Sequence, residues 1–252
     1  MSITSLLKSI VANGDQPVTF GMHRWHEEGA TYTQEAFDRV VAVITADRET
    51  GRGGDGRIRP SLIGHPCQRA HLLSYRGVEQ ETPGSASRDV MTAGTWGHYR
   101  WQYAGLSAGW LKEIEVKVQY EPWHLAGSMD GILSDGSGFE LKTINSFGYK
   151  KVLNDNQPKW EHLMQVHAYM KALDLDAFSV VYENRDTAAW REFRVKRMPE
   201  VDTTLDMLMH ALDGHIKNNT FPPMLTDCLD GKGSIYERCN WRFTCPLQKE
   251  GN

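Results

Sequence analysis

The sequence contains no long apolar run and no excess of basic charge. No segment is apolar for the roughly 20 residues that a membrane-spanning helix requires, and the N-terminus lacks the apolar stretch of a signal peptide. We therefore expect no membrane contact and a cytoplasmic location. The formal net charge is −4, so contact with a polyanion would depend on a local basic groove rather than on a general positive field.

Cysteines are few and lack the C-x-x-C pairing that is usual in structural zinc sites. A reducing cytosol disfavours disulfides, whereas an iron–sulfur cluster takes four thiolates and tolerates wider spacing. Metal or cluster ligands are therefore favoured over unrelated buried thiols, with zinc open as the alternative to iron–sulfur. Such a site would close a loop of about 160 to 180 residues. The four cysteines are Cys67, Cys228, Cys239 and Cys245.

The order of helix-like and strand-like segments predicts an α/β (α+β) fold with a mixed central β-sheet flanked by helices. A glycine-rich loop at residues 51–57 interrupts the N-terminal part. Apolar spacing predicts a helix over residues 33–44, with Thr33 as a possible cap, and further helices are predicted over 61–75 (carrying Cys67), 94–102, about 158–173 (with proline at its start) and 201–218. Alternation predicts a strand over residues 111–118, and further strands are predicted over 125–133, 138–144, 178–182 and 190–195, with a hairpin turn at 134–138.

Two acidic residues and a lysine stand out on the predicted hairpin. Asp130 lies in the sequence Gly-Ser-Met-Asp-Gly, and Glu140 and Lys142 follow in the next strand. Because side chains alternate along a strand, Glu140 and Lys142 point to one side while Leu141 points into the core. Carboxylates hold Mg²⁺ or Mn²⁺, which can activate water and neutralise a phosphodiester. The pattern favours metal-assisted hydrolysis over the surface charges of a solvated hairpin.

Three further polar residues are candidates for the same site. His98 follows a Gly-x-x-Gly sequence, and imidazole is a good Mn²⁺ ligand, although a lone histidine is more often structural. Gln165 and Tyr169 share one face of a predicted helix and can hold a phosphate oxygen or order the lysine. An amphipathic surface helix is the alternative. Four aromatic residues near His98 are expected in the core, with stacking on bases as the alternative: Trp96, Trp101, Tyr103 and Trp110.

Together these residues resemble the PD-(D/E)XK nuclease superfamily, and most of all its RecB-type branch with an iron–sulfur clasp, which includes CRISPR-associated and related phage exonucleases. The likeness covers residues 61–245. That branch has one cysteine before its core and three after it, which bind a 4Fe–4S cluster, and the four cysteines match this order. Tyr236 departs from the pattern, because it stands where the first cysteine of the family's final C-x-x-C-x5-C is expected. The other matches are Gly94 to His98 with Gly-x-x-x-His, Asp130 with the motif-two aspartate, Glu140 and Lys142 with Glu-x-Lys, and Gln165 and Tyr169 with Gln-x-x-x-Tyr.

The resemblance implies a restriction-endonuclease-like core at residues 61–220, preceded by a helical segment and loop at 1–60. An iron–sulfur clasp at 221–252 would pair with Cys67 and so join the N- and C-terminal segments. The resemblance further implies a role for each candidate residue. Mg²⁺ or Mn²⁺ would be held by His98, Asp130, Glu140 and the backbone carbonyl of Leu141, Lys142 would act beside the two carboxylates, and Gln165 and Tyr169 would contact substrate or position Lys142.

The implied activity is a metal-dependent DNA exonuclease acting on ends of linear single- or double-stranded DNA, in recombination, repair or phage DNA metabolism. The alternatives are an endonuclease or end-trimming nuclease of the CRISPR-adaptation type, and a catalytically silent scaffold that binds DNA ends. The implied partners are DNA and a recombination protein such as a single-strand annealing protein. A ring-forming oligomer is compatible with the chain, and a phage-encoded protein would act in the host cytoplasm.

Overall fold

The computed structural model describes residues 11–12, 15–47 and 55–245, and of residues 11–12 only the backbone. The strands are β1 (Val11–Ala12), β2 (Leu111–Tyr120), β3 (Leu125–Leu133), β4 (Gly138–Ile144), β5 (Ala177–Asn184) and β6 (Trp190–Lys196). The helices are α1 (Pro17–Glu27), α2 (Gln34–Asp47), α3 (Gln68–Tyr75), α4 (Ser85–Ala108), α5 (Ser146–Asp155), α6 (Trp160–Leu173) and α7 (Pro199–Lys217), followed by two four-residue helices, α8 (Thr226–Leu229) and α9 (Ser234–Glu237).

One mixed sheet organises the described residues. Its strand order is β1-β6-β5-β4-β3-β2, and the pair β4–β5 is parallel while the other neighbouring pairs are antiparallel. The parallel pair requires a crossover, which α5 and α6 supply between β4 and β5. The predicted α/β fold, its hairpin and its five long strands are therefore confirmed.

The sheet separates two apolar cores. Phe139 and Leu141 of β4 pack in one core with α1 and α4, whereas Val180 and Tyr182 of β5 pack in the other with α6 and α7. Side chains alternate along β4, so Glu140 and Lys142 face α6 while Leu141, which is fully buried, faces α4. The predicted orientation of these three side chains is confirmed.

Strands β3 and β4 separate soon after the hairpin turn. They pair only at Gly131–Phe139 and Ile132–Gly138, while β4 continues to pair with β5 as far as Ile144. A Cβ atom at Gly138 would lie 2.0 Å from Cε2 of Phe178, so glycine is required where β4 crosses that ring. The separation leaves a gap between β3 and β4.

Two helix predictions need correction. The segment 61–75 is not one helix, because a 3-10 helix (Pro60–Leu62) is followed by a turn and non-helical residues, and α3 starts after Cys67. Pro66 explains the break, since the residue before a proline avoids helical conformation. The helix predicted from residue 158 begins at Trp160, with Lys159 as its N-cap. The cap of α2 is as predicted, because the Ala36 N–H donates to the Thr33 hydroxyl.

Three predictions lie partly outside the described residues: the N-terminal helical segment, the glycine-rich loop and the C-terminal clasp. They include residues 1–10, 13–14, 48–54 and 246–252, which the structure does not describe. The division into segments at residues 60 and 220 stays a prediction. Within the described part of the chain, none of the helices has the length and apolar character needed to cross a membrane.

Candidate active site

Asp130 lies at the gap between β3 and β4. The Leu141 N–H lies beyond the backbone pairing of β3 and β4 and donates instead to the side-chain Oδ2 of Asp130 at 2.6 Å. The other carboxylate oxygen, Oδ1, is 3.0 Å from Nδ1 of His98 on α4. The N–H and C=O of a strand residue point to the same side, so the carbonyl of Leu141 also faces this gap.

Glu140 and Lys142 reach the same place from the α6 face of the sheet. Lys142 Nζ donates to Glu140 Oε1 at 2.7 Å and to Gln165 Oε1 at 3.0 Å. Gln165 Nε2 donates to Glu140 Oε1 at 2.9 Å and to the Tyr169 hydroxyl at 3.3 Å, and that hydroxyl donates to the Ser128 carbonyl at 2.6 Å. We call His98, Asp130, Glu140, Lys142 and Gln165 the carboxylate site.

The two carboxylates of the site differ in pKa. Burial opposes ionisation of Asp130, but the neighbouring His98, its hydrogen bond and Lys142 together lower the Asp130 pKa. Burial and then the Asp130 charge raise the pKa of Glu140 to about 7, although Lys142 opposes them. Burial also disfavours the charged form of His98, but Asp130 outweighs it and raises the His98 pKa to about 9.

Helix α4 places His98 through a close contact with β4. Cβ atoms at Gly94 and Gly97 would lie 3.3 and 3.0 Å from the Thr143 side chain, so glycine lets the helix lie close to the strand. One turn further along α4, Arg100 and Trp101 both donate to the buried carboxylate of Glu183 on β5, with Trp101 Nε1 at 3.1 Å. These contacts fix both the height and the rotation of α4 over the sheet.

A third acidic residue beside the site was missed by sequence reasoning. Glu115 stands on β2 opposite Asp130 and has a left-handed backbone, with φ of 48°. Its carboxylate accepts from Gln102 at 2.8 Å and from the Ser128 hydroxyl at 2.8 Å, and Gln102 also donates to the Asp130 carbonyl. Burial and then the Asp130 charge raise the Glu115 pKa. Its place in an alternating strand gave it the pattern of a surface residue, so no sequence signal distinguished it.

The chemistry of the donor set fits a hard divalent cation. Glu140 Oε2 is buried and lacks a hydrogen-bond partner among the described residues, which is costly for a carboxylate oxygen unless a cation binds it. As they stand, however, His98, Asp130 and Glu140 bond to protein partners. No group of three or more His, Cys, Asp or Glu side chains within the described ranges is arranged to hold a metal ion. Metal ligation by these residues stays a prediction.

The four cysteines lie close together in the fold. All four are free thiols and line one cavity, which has about 330 Å³ of empty space, part of it open to solvent. Burial raises the Cys228 pKa, and the other three thiols add to that shift, so the sulfur atoms lie within electrostatic range of one another. Tyr236, which replaces the family's expected cysteine, lines the same cavity. Cluster binding stays a prediction.

The aromatic residues around α4 divide between core and surface. Trp101 and Trp110 are buried and contact each other edge to face, as expected for core residues. Trp96 is 57% exposed, and its ring contacts that of Tyr99. Tyr103 is partly buried against Tyr32, with ring centroids 4.3 Å apart. The expectation of a core role therefore holds for two of the four residues.

Comparison with solved structures identifies the fold. Two structures of LHK-Exo, an alkaline exonuclease from Laribacter hongkongensis, one of them in complex with dAMP, match with TM-scores of 0.52 and 0.53 at 16% and 18% identity. Both matches cover 65% of this chain and 89% of the other. The structure of SSO0001 matches with a TM-score of 0.52 at 15% identity, covering 86% and 98%. No protein-family model and no curated protein sequence matches the chain. The chain thus has a nuclease-like fold.

Proposed function

We propose that this protein is a metal-dependent DNA exonuclease that hydrolyses phosphodiester bonds at the ends of linear DNA. One observation carries the proposal. His98 and Asp130 approach from the α4 side, Glu140, Lys142 and Gln165 approach from the α6 side, and the two groups meet at the gap between β3 and β4. The likeness of the fold to that of the alkaline exonuclease LHK-Exo supports the same proposal.

The site would hold Mg²⁺ or Mn²⁺ through His98, Asp130, Glu140 and the Leu141 carbonyl. A bound divalent ion supplies a water of lowered pKa and offsets the phosphate charge. The orphaned Oε2 of Glu140 and the carbonyl facing the gap are the oxygen donors best placed for this role.

Lys142 is held between two oxygen acceptors, which point its ammonium group along the sheet face toward α6. There it can orient the attacking water and stabilise the charge that develops on the phosphate. Gln165 fixes the Lys142 ammonium from one side, and Tyr169 fixes Gln165 in turn. Both would therefore act on the reaction by positioning Lys142, with Gln165 near enough to contact the phosphate as well.

Digestion of end-labelled DNA with Mn²⁺ tests this function. We expect wild-type protein to shorten linear DNA, and Lys142→Ala or Asp130→Ala to lower the rate by at least about 100-fold, because each loses transition-state stabilisation. Lys217→Ala, at an exposed ion pair on α7, is the control and should retain full activity. Undiminished cleavage by either site variant would sink the assignment.

Two alternatives give different outcomes in the same assay. An endonuclease of the CRISPR-adaptation type would also cut circular single-stranded DNA, which offers no end. A silent scaffold would bind DNA ends without metal-dependent cleavage. The intact set of Asp130, Glu140 and Lys142 favours an enzyme.

The proposal extends to the cysteines and to the biological setting. Cys67, Cys228, Cys239 and Cys245 would hold a 4Fe–4S cluster, with zinc as the alternative, since they line one cavity. The enzyme would process DNA ends in recombination, repair or phage replication, in the cytoplasm. It would work beside a recombination partner such as a single-strand annealing protein, and a ring-forming oligomer is compatible with that role.

A further inference from the structure

His162 is a half-buried histidine beside the carboxylate site that the proposed chemistry leaves unused. It lies on α6 one turn before Gln165, and its Nδ1 is 2.6 Å from the hydroxyl of Tyr182. Tyr182 is the in-register neighbour of Lys142 across the parallel pair β4–β5, so both side chains lie on the α6 face of the sheet. His162, Lys142 and Gln165 therefore border the same space.

The hydrogen bonds of Tyr182 determine where the proton of His162 lies. The backbone N–H of Lys159 donates to the Tyr182 oxygen at 3.0 Å. The buried Tyr182 hydroxyl then has its own proton to donate, and among the described residues only His162 Nδ1 is placed to accept it. Nδ1 is therefore an acceptor, and a neutral imidazole in this state carries its proton on Nε2.

The surroundings keep the ring neutral. Burial, and then the positive charges of Lys142 and Lys159, lower the His162 pKa to about 2. Such a ring cannot serve as a general acid or as a counterion near neutral pH, but its Nε2–H remains a hydrogen-bond donor. Nε2 has no hydrogen-bond partner among the described residues, and it is not buried, so it is accessible to a ligand. An uncharged donor between two ammonium groups suits an anionic oxygen.

We propose that His162 donates a hydrogen bond from Nε2 to a non-bridging oxygen of a DNA phosphate bound beside Lys142. This inference rests on the proposed nuclease function and adds a substrate-positioning residue to it. Tyr182 contributes by fixing the tautomer, and the start of α6 contributes through the N–H of Lys159 that fixes Tyr182.

Two amide substitutions separate this role from a purely structural one. The amide of His162→Asn reaches the place of Nδ1, where it can bond Tyr182 but not the phosphate. The amide of His162→Gln reaches the place of Nε2, where it can donate to the phosphate. In EDTA, which prevents cleavage, we expect His162→Asn to bind an end-labelled single strand about tenfold more weakly, and His162→Gln to bind within about threefold of wild type. His210→Ala, an exposed histidine on α7, is the matched control.

Methylphosphonate substitution identifies the phosphate. Replacing one non-bridging oxygen by methyl removes the proposed acceptor. Methylphosphonate at one position of the strand should lower the affinity of wild type about tenfold. It should lower the affinity of His162→Asn only slightly, because that variant already lacks the same hydrogen bond. A neutral donor releases no counterion, so His162→Asn should leave the slope of affinity against salt unchanged.

The outcomes are separable. If wild-type protein neither binds nor degrades DNA, the proposed function itself fails. If wild-type protein degrades DNA but His162→Asn binds as well as His162→Gln, His162 serves only to hold Tyr182, and the inference is overturned. The inference would also be overturned if, at every phosphate of the strand, the loss of affinity from methylphosphonate added in full to the loss from His162→Asn.

Discussion

Asp130 and Glu140 share one site but ionise differently, because their partners differ. Asp130 has a cationic imidazole on one oxygen and a backbone N–H on the other. Glu140 shares one oxygen between Lys142 and Gln165, and its other oxygen is buried without a partner among the described residues. In the absence of a divalent ion, protons therefore remain on His98 and partly on Glu140 near neutral pH.

The charge on His98 should make the stability of the metal-free protein depend on pH. Its pKa is raised from 6.5 to about 9 in the folded state. The stabilisation is therefore fully present below pH 6.5 and is lost as pH rises through 9, by at most about 3 kcal/mol. Urea unfolding in EDTA at pH 6.5, 8 and 9.5 measures this loss, and His98→Gln should remove it. Glu140 also loses stabilisation as pH rises, but between its ordinary pKa of 4.5 and its raised pKa of about 7. The loss of stability between pH 8 and 9.5 therefore reports on His98.

Binding of Mn²⁺ should release protons. A cation needs neutral imidazole and ionised carboxylate, whereas His98 and part of the Glu140 population are protonated at pH 7. Affinity should therefore increase between pH 6 and pH 9. Calorimetry at pH 7 in two buffers of different ionisation enthalpy counts the protons released. We expect roughly one to two protons per bound ion, one from His98 and a fraction from Glu140. Binding without proton release and independent of pH would contradict the ligand set.

At the residue scale, the sequence identified five members of the site and its surroundings and missed two neighbours, Glu115 and His162. Asp130, Glu140 and Lys142 follow a spacing that a strand converts into proximity, and Gln165 and Tyr169 follow helical spacing. The position of Glu115 depends on its own left-handed backbone, and that of His162 on its hydrogen bond with Tyr182 of β5. Contacts between residues that are distant in sequence leave no periodic signal, so these supports became visible only in the fold.

Among the elements, α4 is the one whose position bears most directly on the site, since it carries His98. Its contact with β4 depends on two glycines at Thr143 and on the anchor at Glu183. The contact has little slack, because a Cβ at Gly97 would already lie 3.0 Å from the Thr143 methyl group. A small change at this contact should therefore move His98 relative to Asp130.

Gly97→Ala should lower activity about three- to tenfold, because α4 must move by a few tenths of an ångström and catalytic groups tolerate little displacement. Thr143→Ser removes the methyl group that the new Cβ meets, so Gly97→Ala with Thr143→Ser should restore most of the activity. Initial rates on end-labelled DNA, with melting temperatures alongside, measure both effects. Gly214→Ala on α7 has no atom within 4 Å of its new Cβ and is the control, expected to be neutral or stabilising by up to about 1 kcal/mol. Equal rates for the single and double variants would contradict the steric explanation.

Elements with a clear period were predicted well, and elements shaped by packing were not. Alternation identified β2, and β3 to β6 were identified as strands from their composition and the turns around them. The sequence predicts one helix over residues 61–75, yet Gly64 lies so close to α6 that an added Cβ would be 2.3 Å from the Cα of Glu161. The chain makes a turn at residues 63–64 and places Cys67 just before α3, as its N-cap, rather than inside a helix. Local periodicity cannot report such an approach between distant segments.

For the whole molecule, the segment before α3 and the C-terminal segment meet at the cavity lined by the four cysteines. Three of the four cluster near the C-terminal end of the sequence, whereas the contacts around the cavity left no signal in the sequence. Arg69 donates to Cys245 Sγ at 3.2 Å and to the Pro222 carbonyl at 2.9 Å while buried.

A bound cluster should make the four cysteines act as one unit. Anaerobically purified protein should be brown, with absorbance near about 400 nm and about four irons per chain. Cys67→Ser and Cys245→Ser should each lower the iron content and the melting temperature, and the double variant should be no worse than either, because losing one ligand already opens the long loop. A colourless preparation with one zinc per chain would refute the cluster, and additive losses would refute a shared site.

Strand β5 carries the anchors of both helices at adjacent positions. Tyr182 bonds the first turn of α6, and Glu183 bonds α4 on the opposite face of the sheet. Two consecutive residues of β5 therefore position both helices that carry the site, α4 and α6. A gain or loss of one residue within β5 would exchange the faces of every side chain beyond it and would separate one helix from its anchor. We therefore expect insertions and deletions to be tolerated in the loops around β5 but not within the strand, because the strand sets the distance between α4 and α6.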